Sequence, residues 1–151
     1  MSVILFKKAK ANIDVALRNI EDPDDYVLQL VANNVQQGIE KTLKYALEQQ
    51  GIVYPKTHSI GVLLKSFPEG QTLLGAEDFE FLEDRADTLR LWESDVRYDT
   101  DYMATRRQVR LLLDYACKLY ARVDAWAGER CDPSNFPSKV TTEHLTDLKL
   151  D

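Results

Sequence analysis

Apolar residues return every third or fourth position along most of the chain, the spacing that lines one face of an α-helix. Phe6, Ala9, Ile13, Ala16, Leu17 and Ile20 make the first stripe, with Lys7, Lys8, Lys10, Asp14 and Arg18 between them. Ser2 is placed to cap this helix. Asp22-Pro23-Asp24-Asp25 ends it, because proline lacks the amide hydrogen that another turn needs. Asp24 or Asp25 then caps a second helix, predicted over about residues 26–50, whose apolar line is Leu28, Val31, Val35, Ile39, Thr42 and Ala46. Gly51 stands where a glycine commonly closes a helix. A brief helix follows over residues 59–65, and Phe67-Pro68-Glu69-Gly70 closes it. Phe79, Leu82, Ala86, Leu89 and Trp92 predict a third long helix over residues 76–92, with Glu77, Asp78 and Glu80 early in it, where negative charge suits the helix dipole. The last long helix is predicted to start at Asp101, as its cap, and to run to about Trp126, burying Val109, Leu112, Leu113, Ala116, Leu119, Tyr120 and Val123.

Four long helices with short joins predict an all-α fold, an up-and-down four-helix bundle with one short additional helix. The bundle takes residues 1–127. Residues 128–151 hold Pro133 and Pro137 and little core material, which reads as a tail carrying one short helix. The length of 151 residues with 44% apolar content suits one domain with a core that needs neither metal nor disulfide. Two cysteines, Cys117 and Cys131, are too few for a disulfide scaffold. No apolar run is long enough to span a membrane, and the opening MSVILFKKAK places its apolar stretch before its lysines, the reverse of a signal peptide. A cytoplasmic protein is the expectation.

Charge narrows the chemistry. The net charge of -6 is a poor basis for non-specific nucleic-acid binding, yet its distribution is uneven. Residues 69–101 carry three basic and eleven acidic side chains, whereas residues 102–122 carry five basic and one acidic. Within the basic stretch Arg106 and Arg110 share a helix face, suited to RNA, to an acidic partner or to the acidic third helix. Phosphate-binding glycine loops, nucleophile elbows and CxxC or HExxH motifs are absent. His58 and His144 have no neighbours at metal-ligand spacing, so no metal and no cofactor are expected.

Three stretches stand out together. They are Asn34-Val35-Gln36-Gln37-Gly38-Ile39-Glu40-Lys41-Thr42-Leu43-Lys44-Tyr45-Ala46 on the second helix, Pro55-Lys56-Thr57-His58-Ser59-Ile60-Gly61-Val62-Leu63-Leu64 after it, and Val96-Arg97-Tyr98-Asp99 before the last helix. In order and spacing, over about residues 2–126, the chain resembles the HEPN family (higher eukaryotes and prokaryotes nucleotide-binding domain). The resemblance implies a helical bundle that dimerises through its long helices and that is often paired with a minimal nucleotidyltransferase. Many members are metal-independent RNases of toxin–antitoxin or defence systems, with Arg-x4-6-His supplied by both subunits of the dimer. Here the pattern breaks: Arg97 stands where the arginine belongs, but the positions for the histidine hold Tyr102, Met103 and Ala104. Without an imidazole the usual proton shuttle for attack by a 2′-hydroxyl is missing, and a tyrosine is a poor base at neutral pH.

The resemblance therefore points to a binding module, not an enzyme, with an RNase toxin working through Arg97 and Tyr102 as the alternative. Candidate contacts to a nucleotide, RNA or protein partner are Arg97, whose guanidinium forks onto phosphate, Tyr98, whose ring can stack on a base, and Lys41, Lys44 and His58. Each has a plainer role beside it. Arg97 has Asp95, Asp99 and Asp101 as ion-pair partners, Tyr98 suits a core, Lys44 pairs with Glu40 one turn earlier, and His58 braces its loop.

Overall fold

The computed structural model describes residues 2–93 and 102–130. Among them are six helices and no strand: α1 (Ser2–Asn19), α2 (Asp25–Gln49), α3 (Ile60–Lys65), α4 (Ala76–Asp84), α5 (Ala86–Trp92) and α6 (Arg106–Arg130). The caps follow the sequence. Asp24 is extended and its carboxylate accepts the Tyr26 amide at 2.8 Å, opening α2. Gly51 closes α2 at φ +71°, a left-handed conformation that glycine adopts without a Cβ clash. Ser59 caps α3 by accepting the Val62 amide at 3.2 Å.

α1 and α2 form an antiparallel hairpin. They pack tightly at Gly38, where a Cβ would lie 2.9 Å from Ile13 Cγ1. α6 runs antiparallel to α1 and alongside α2. Its start meets the α1–α2 turn, where Arg106 donates to the Ile20 carbonyl and Arg110 pairs with Glu21. Further along, the Phe6 ring of α1 lies between Tyr45 of α2 and Tyr120 of α6, at centroid distances of 4.1 and 4.0 Å. The two arginines thus bind the hairpin turn, not the acidic helix. That helix is reached instead by Arg122, which donates to Asp78 at 2.6 Å, while Tyr115 donates to the other Asp78 oxygen at 2.9 Å. Ile13, Leu43, Leu82, Leu89, Leu113 and Leu119 are fully buried where the helices meet. Each such side chain contributes about 1.5–3 kcal/mol by leaving water.

Two expectations need correction. The third long helix is broken in two at Arg85, whose backbone (φ -110°, ψ 8°) leaves the helical region. Its guanidinium folds back to donate to the Phe81 carbonyl at 3.1 Å and lies 3.9 Å from the centre of the Phe81 ring. The last helix starts at Arg106, later than Asp101. Thr105 and Gln108 form a reciprocal capping box: the Thr105 hydroxyl accepts the Gln108 amide at 3.3 Å, and the Gln108 side chain accepts the Thr105 amide at 3.3 Å. Asp101 lies outside the described residues. α6 continues past residue 127, where the bundle was expected to end, and the proposed helix within 128–151 also falls outside the described residues.

Candidate functional site

The candidate residues that the structure describes gather on α2, and they divide between its two sides. On one side Glu40 is 2% exposed. A bare carboxylate in that position would be costly, and three donors surround it. Lys44 Nζ lies 2.8 Å from Oε2, His58 Nδ1 lies 3.1 Å from the same oxygen, and Gln36 Nε2 donates to Oε1 at 2.9 Å. Burial pushes the Glu40 carboxyl up, but the hydrogen bonds from Lys44, Gln36 and His58 outweigh it and hold the group below the usual glutamate range. Gln36 also donates to the His58 carbonyl at 3.3 Å, so the loop after α2 is held through both its backbone and its imidazole. The Gln36 carbonyl oxygen is buried with no hydrogen-bond partner in the structure. The same loop is tied earlier by the Ile52 amide to the Leu47 carbonyl at 3.0 Å and by the Tyr54 hydroxyl to Glu48 at 2.6 Å.

Lys41 is one turn from Lys44 but turns the other way, toward α1. Its ammonium donates to Asn12 Oδ1 at 2.8 Å, and Asn12 Nδ2 in turn donates to Asn34 Oδ1 at 2.9 Å. Burial pushes the Lys41 amine down; the Glu40 charge opposes this, and the charges of Lys8 and Lys44 add to it. Lys41 and Lys44 therefore do not form one cationic pair. Lys44 and His58 serve a buried carboxylate, while Lys41 stands on neutral amides.

Arg97 and Tyr98 lie outside the described residues. What is described is how the flanking chain is held. Asn33 of α2 donates to the Trp92 carbonyl at 2.9 Å. One turn earlier, Gln29 grips Ala104 with both ends of its amide: its Oε1 accepts the Ala104 amide at 2.7 Å, and its Nε2 donates to the Ala104 carbonyl at 3.3 Å. The Trp92 indole donates to the Tyr102 hydroxyl at 3.1 Å, and that hydroxyl lies 3.4 Å from Gln108 Oε1. Tyr102 thus bridges the end of α5 to the start of α6. Gln29 and Asn33 were not singled out in the sequence. Their i,i+4 spacing, as polar residues beside the buried Leu28 and Ala32, was the available signal.

Among the described residues no grouping of His, Cys, Asp and Glu is able to hold a metal ion, and no helix is long and apolar enough to cross a membrane. Cys117 is buried, and burial pushes its thiol up to about 11, which makes it a poor nucleophile.

Comparison with curated proteins gives no match, and comparison with solved structures gives none. A family model described as "HEPN domain" matches residues 2–126, from the first described turn of α1 to near the end of α6. With six helices among the described residues, the chain belongs to the HEPN domain family.

Proposed function

We propose that this domain is a dimeric binding module, taking either the phosphates of a nucleotide or nucleic acid or a minimal nucleotidyltransferase partner, with Arg97 and Tyr98 among the contacts. The observation that carries the reading is membership of the HEPN family combined with a sequence in which Tyr102, Met103 and Ala104 stand where the RNase members carry histidine. The Tyr102 hydroxyl is consistent with it, because it accepts from the Trp92 indole and lies beside Gln108, an arrangement that joins the end of α5 to the start of α6. His58 is not a substitute imidazole in this reading: it is engaged by Glu40 and sits on the loop after α2. The clamps at Trp92 and Ala104 favour a role for the intervening chain, since two buried-edge amides of α2 are devoted to its ends.

The test is calorimetry with ATP on the full chain, together with a pull-down against a minimal nucleotidyltransferase. Binding in either assay that is lost in Arg97→Ala supports the proposal; failure in both removes it. Incubation with RNA decides the alternative. Cleavage that disappears in Arg97→Ala and Tyr102→Phe would establish the RNase reading instead. Light scattering checks the dimer, and a monomer at all concentrations would refute that part.

A further inference from the structure

Lys41 is half-buried in the seam between α1 and α2, and its hydrogen bond to Asn12 engages one of three ammonium N–H donors. Among the described residues no carboxylate pairs with it: Glu40 is held by Lys44 at 2.8 Å on the other side of α2, and Asp14 is held by Lys10 at 2.8 Å. Lys8 is exposed, precedes Asn12 by one helical turn, and likewise has no ion pair. The Asn12–Asn34 bond at 2.9 Å fixes the amide so that its oxygen faces Lys41. The seam thus sets Lys41 on Asn12, with Lys8 one turn away on the same face of α1, and among the described residues neither lysine has a carboxylate in ion-pair contact. Burial lowers the affinity of Lys41 for its proton, Glu40 opposes this, and the charges of Lys8 and Lys44 strengthen it, the electrostatic situation that an oxyanion relieves.

We infer that the α1–α2 seam at Lys8, Asn12 and Lys41 is a phosphate-binding site. Lys41 and Lys8 donate to the phosphate oxygens, and Asn12 holds Lys41 in place. Lys44 and His58 take no part, since Glu40 already uses both. The site would take a phosphate group carried by a nucleotide or by an RNA backbone. It shares only the class of ligand with the binding-module reading above and does not depend on Arg97.

The experiment is an amide NMR titration of the full chain with inorganic pyrophosphate, ATP and a short oligouridylate in turn. Shifts at Lys8, Asn12 and Lys41 are expected. Lys41→Gln and Lys8→Gln should each weaken binding about tenfold, as loss of a charge-assisted hydrogen bond does. Lys118→Gln, which removes a cation paired with Asp114 at 2.8 Å, should change nothing. Lys8 is exposed, so its replacement keeps the test valid even where Lys41→Gln perturbs folding. Tighter binding of ATP than of pyrophosphate names a nucleotide, and tighter binding of the oligouridylate names RNA; both outcomes support the site. Binding lost in Arg97→Ala but unchanged in Lys8→Gln and Lys41→Gln overturns the seam and leaves the binding-module reading standing. Binding unchanged in Arg97→Ala but weakened in the two lysine variants does the reverse. Absence of any shift in the seam with all three probes overturns the inference.

Discussion

Glu40 is a buried acid whose three donors come from two segments of chain, so its removal is felt beyond its own contacts. Glu40→Ala leaves Lys44 and Gln36 without their acceptor, and chemical denaturation should report a loss of about 2–4 kcal/mol. The pH dependence has a definite sign. The folded-state carboxyl sits below its unfolded value, so its stabilisation is fully present at neutral pH and is lost in acid, as pH falls beneath the ordinary glutamate range. Glu40→Gln should flatten that acid limb of the stability curve; an unchanged slope would show that the carboxylate is not held as described. Cys117 gives a second residue-level outcome. With its thiol buried and raised to about 11, thiol labelling of the native protein at neutral pH should leave Cys117 unmodified until the chain is denatured. Of these features, the Glu40–Lys44 pair was legible from i,i+4 spacing alone. The His58 contact was not, because it depends on how the loop after α2 folds back; the Gln36 contact has the same i,i+4 spacing within α2 but was hidden by the neutral side chain, which signals no ion pair.

At the level of elements, the sequence described the helices well and their breaks poorly. The α2 caps at Asp24 and Gly51 and the α3 cap at Ser59 follow from side-chain chemistry that acts over two or three residues, and such signals are readable in one dimension. The break at Arg85 lies inside an unbroken apolar stripe. It reflects a side chain that returns to the Phe81 carbonyl and ring, a local competition that periodicity does not register. The start of α6 was misplaced because two capping residues competed. Thr105 with Gln108 satisfies the exposed amides reciprocally, and Thr105→Ala should cost about 1 kcal/mol in thermal or chemical unfolding. The α1–α2 contact makes a sharper prediction. Gly38→Ala gains about 1 kcal/mol of helix propensity, yet its Cβ would meet Ile13 Cγ1 at 2.9 Å, and Ile13 is fully buried and stiff at its branch point. The steric term should win, giving a net loss of about 1 kcal/mol and a lower Tm. A stabilised variant would show that the two helices separate easily.

For the whole molecule, the all-α bundle and the order of its helices were readable because helical periodicity and short joins leave few packings open. The division of the candidate site was not readable. Lys41 and Lys44 are one turn apart in sequence and look like a pair, but α1 claims one and the loop after α2 claims the other. Asn12 and Asn34 were invisible for the same reason, since each matters only through a partner on the other helix. Asp78 provides the long-range tie between α4 and α6, accepting from both Arg122 and Tyr115 as well as from the Gly75 amide at 2.9 Å. Asp78→Ala should loosen the second half of the bundle by about 2–3 kcal/mol, and hydrogen exchange should show the loss first in α4. Uniform loss across α1 and α2 at the same rate would mean that the bundle opens only as a unit.

The sandwich of Phe6 between Tyr45 and Tyr120 makes the protein its own optical gauge. Two phenol chromophores, on different helices, are each held nearly parallel to the ring between them, at interplanar angles of 11° and 9°. Their near-ultraviolet dichroism depends on that stacking, whereas the far-ultraviolet band reports only helix content. A conformer in which the N-terminal rod swings away would darken the first signal and spare the second, so two wavelengths separate undocking from melting without any added label.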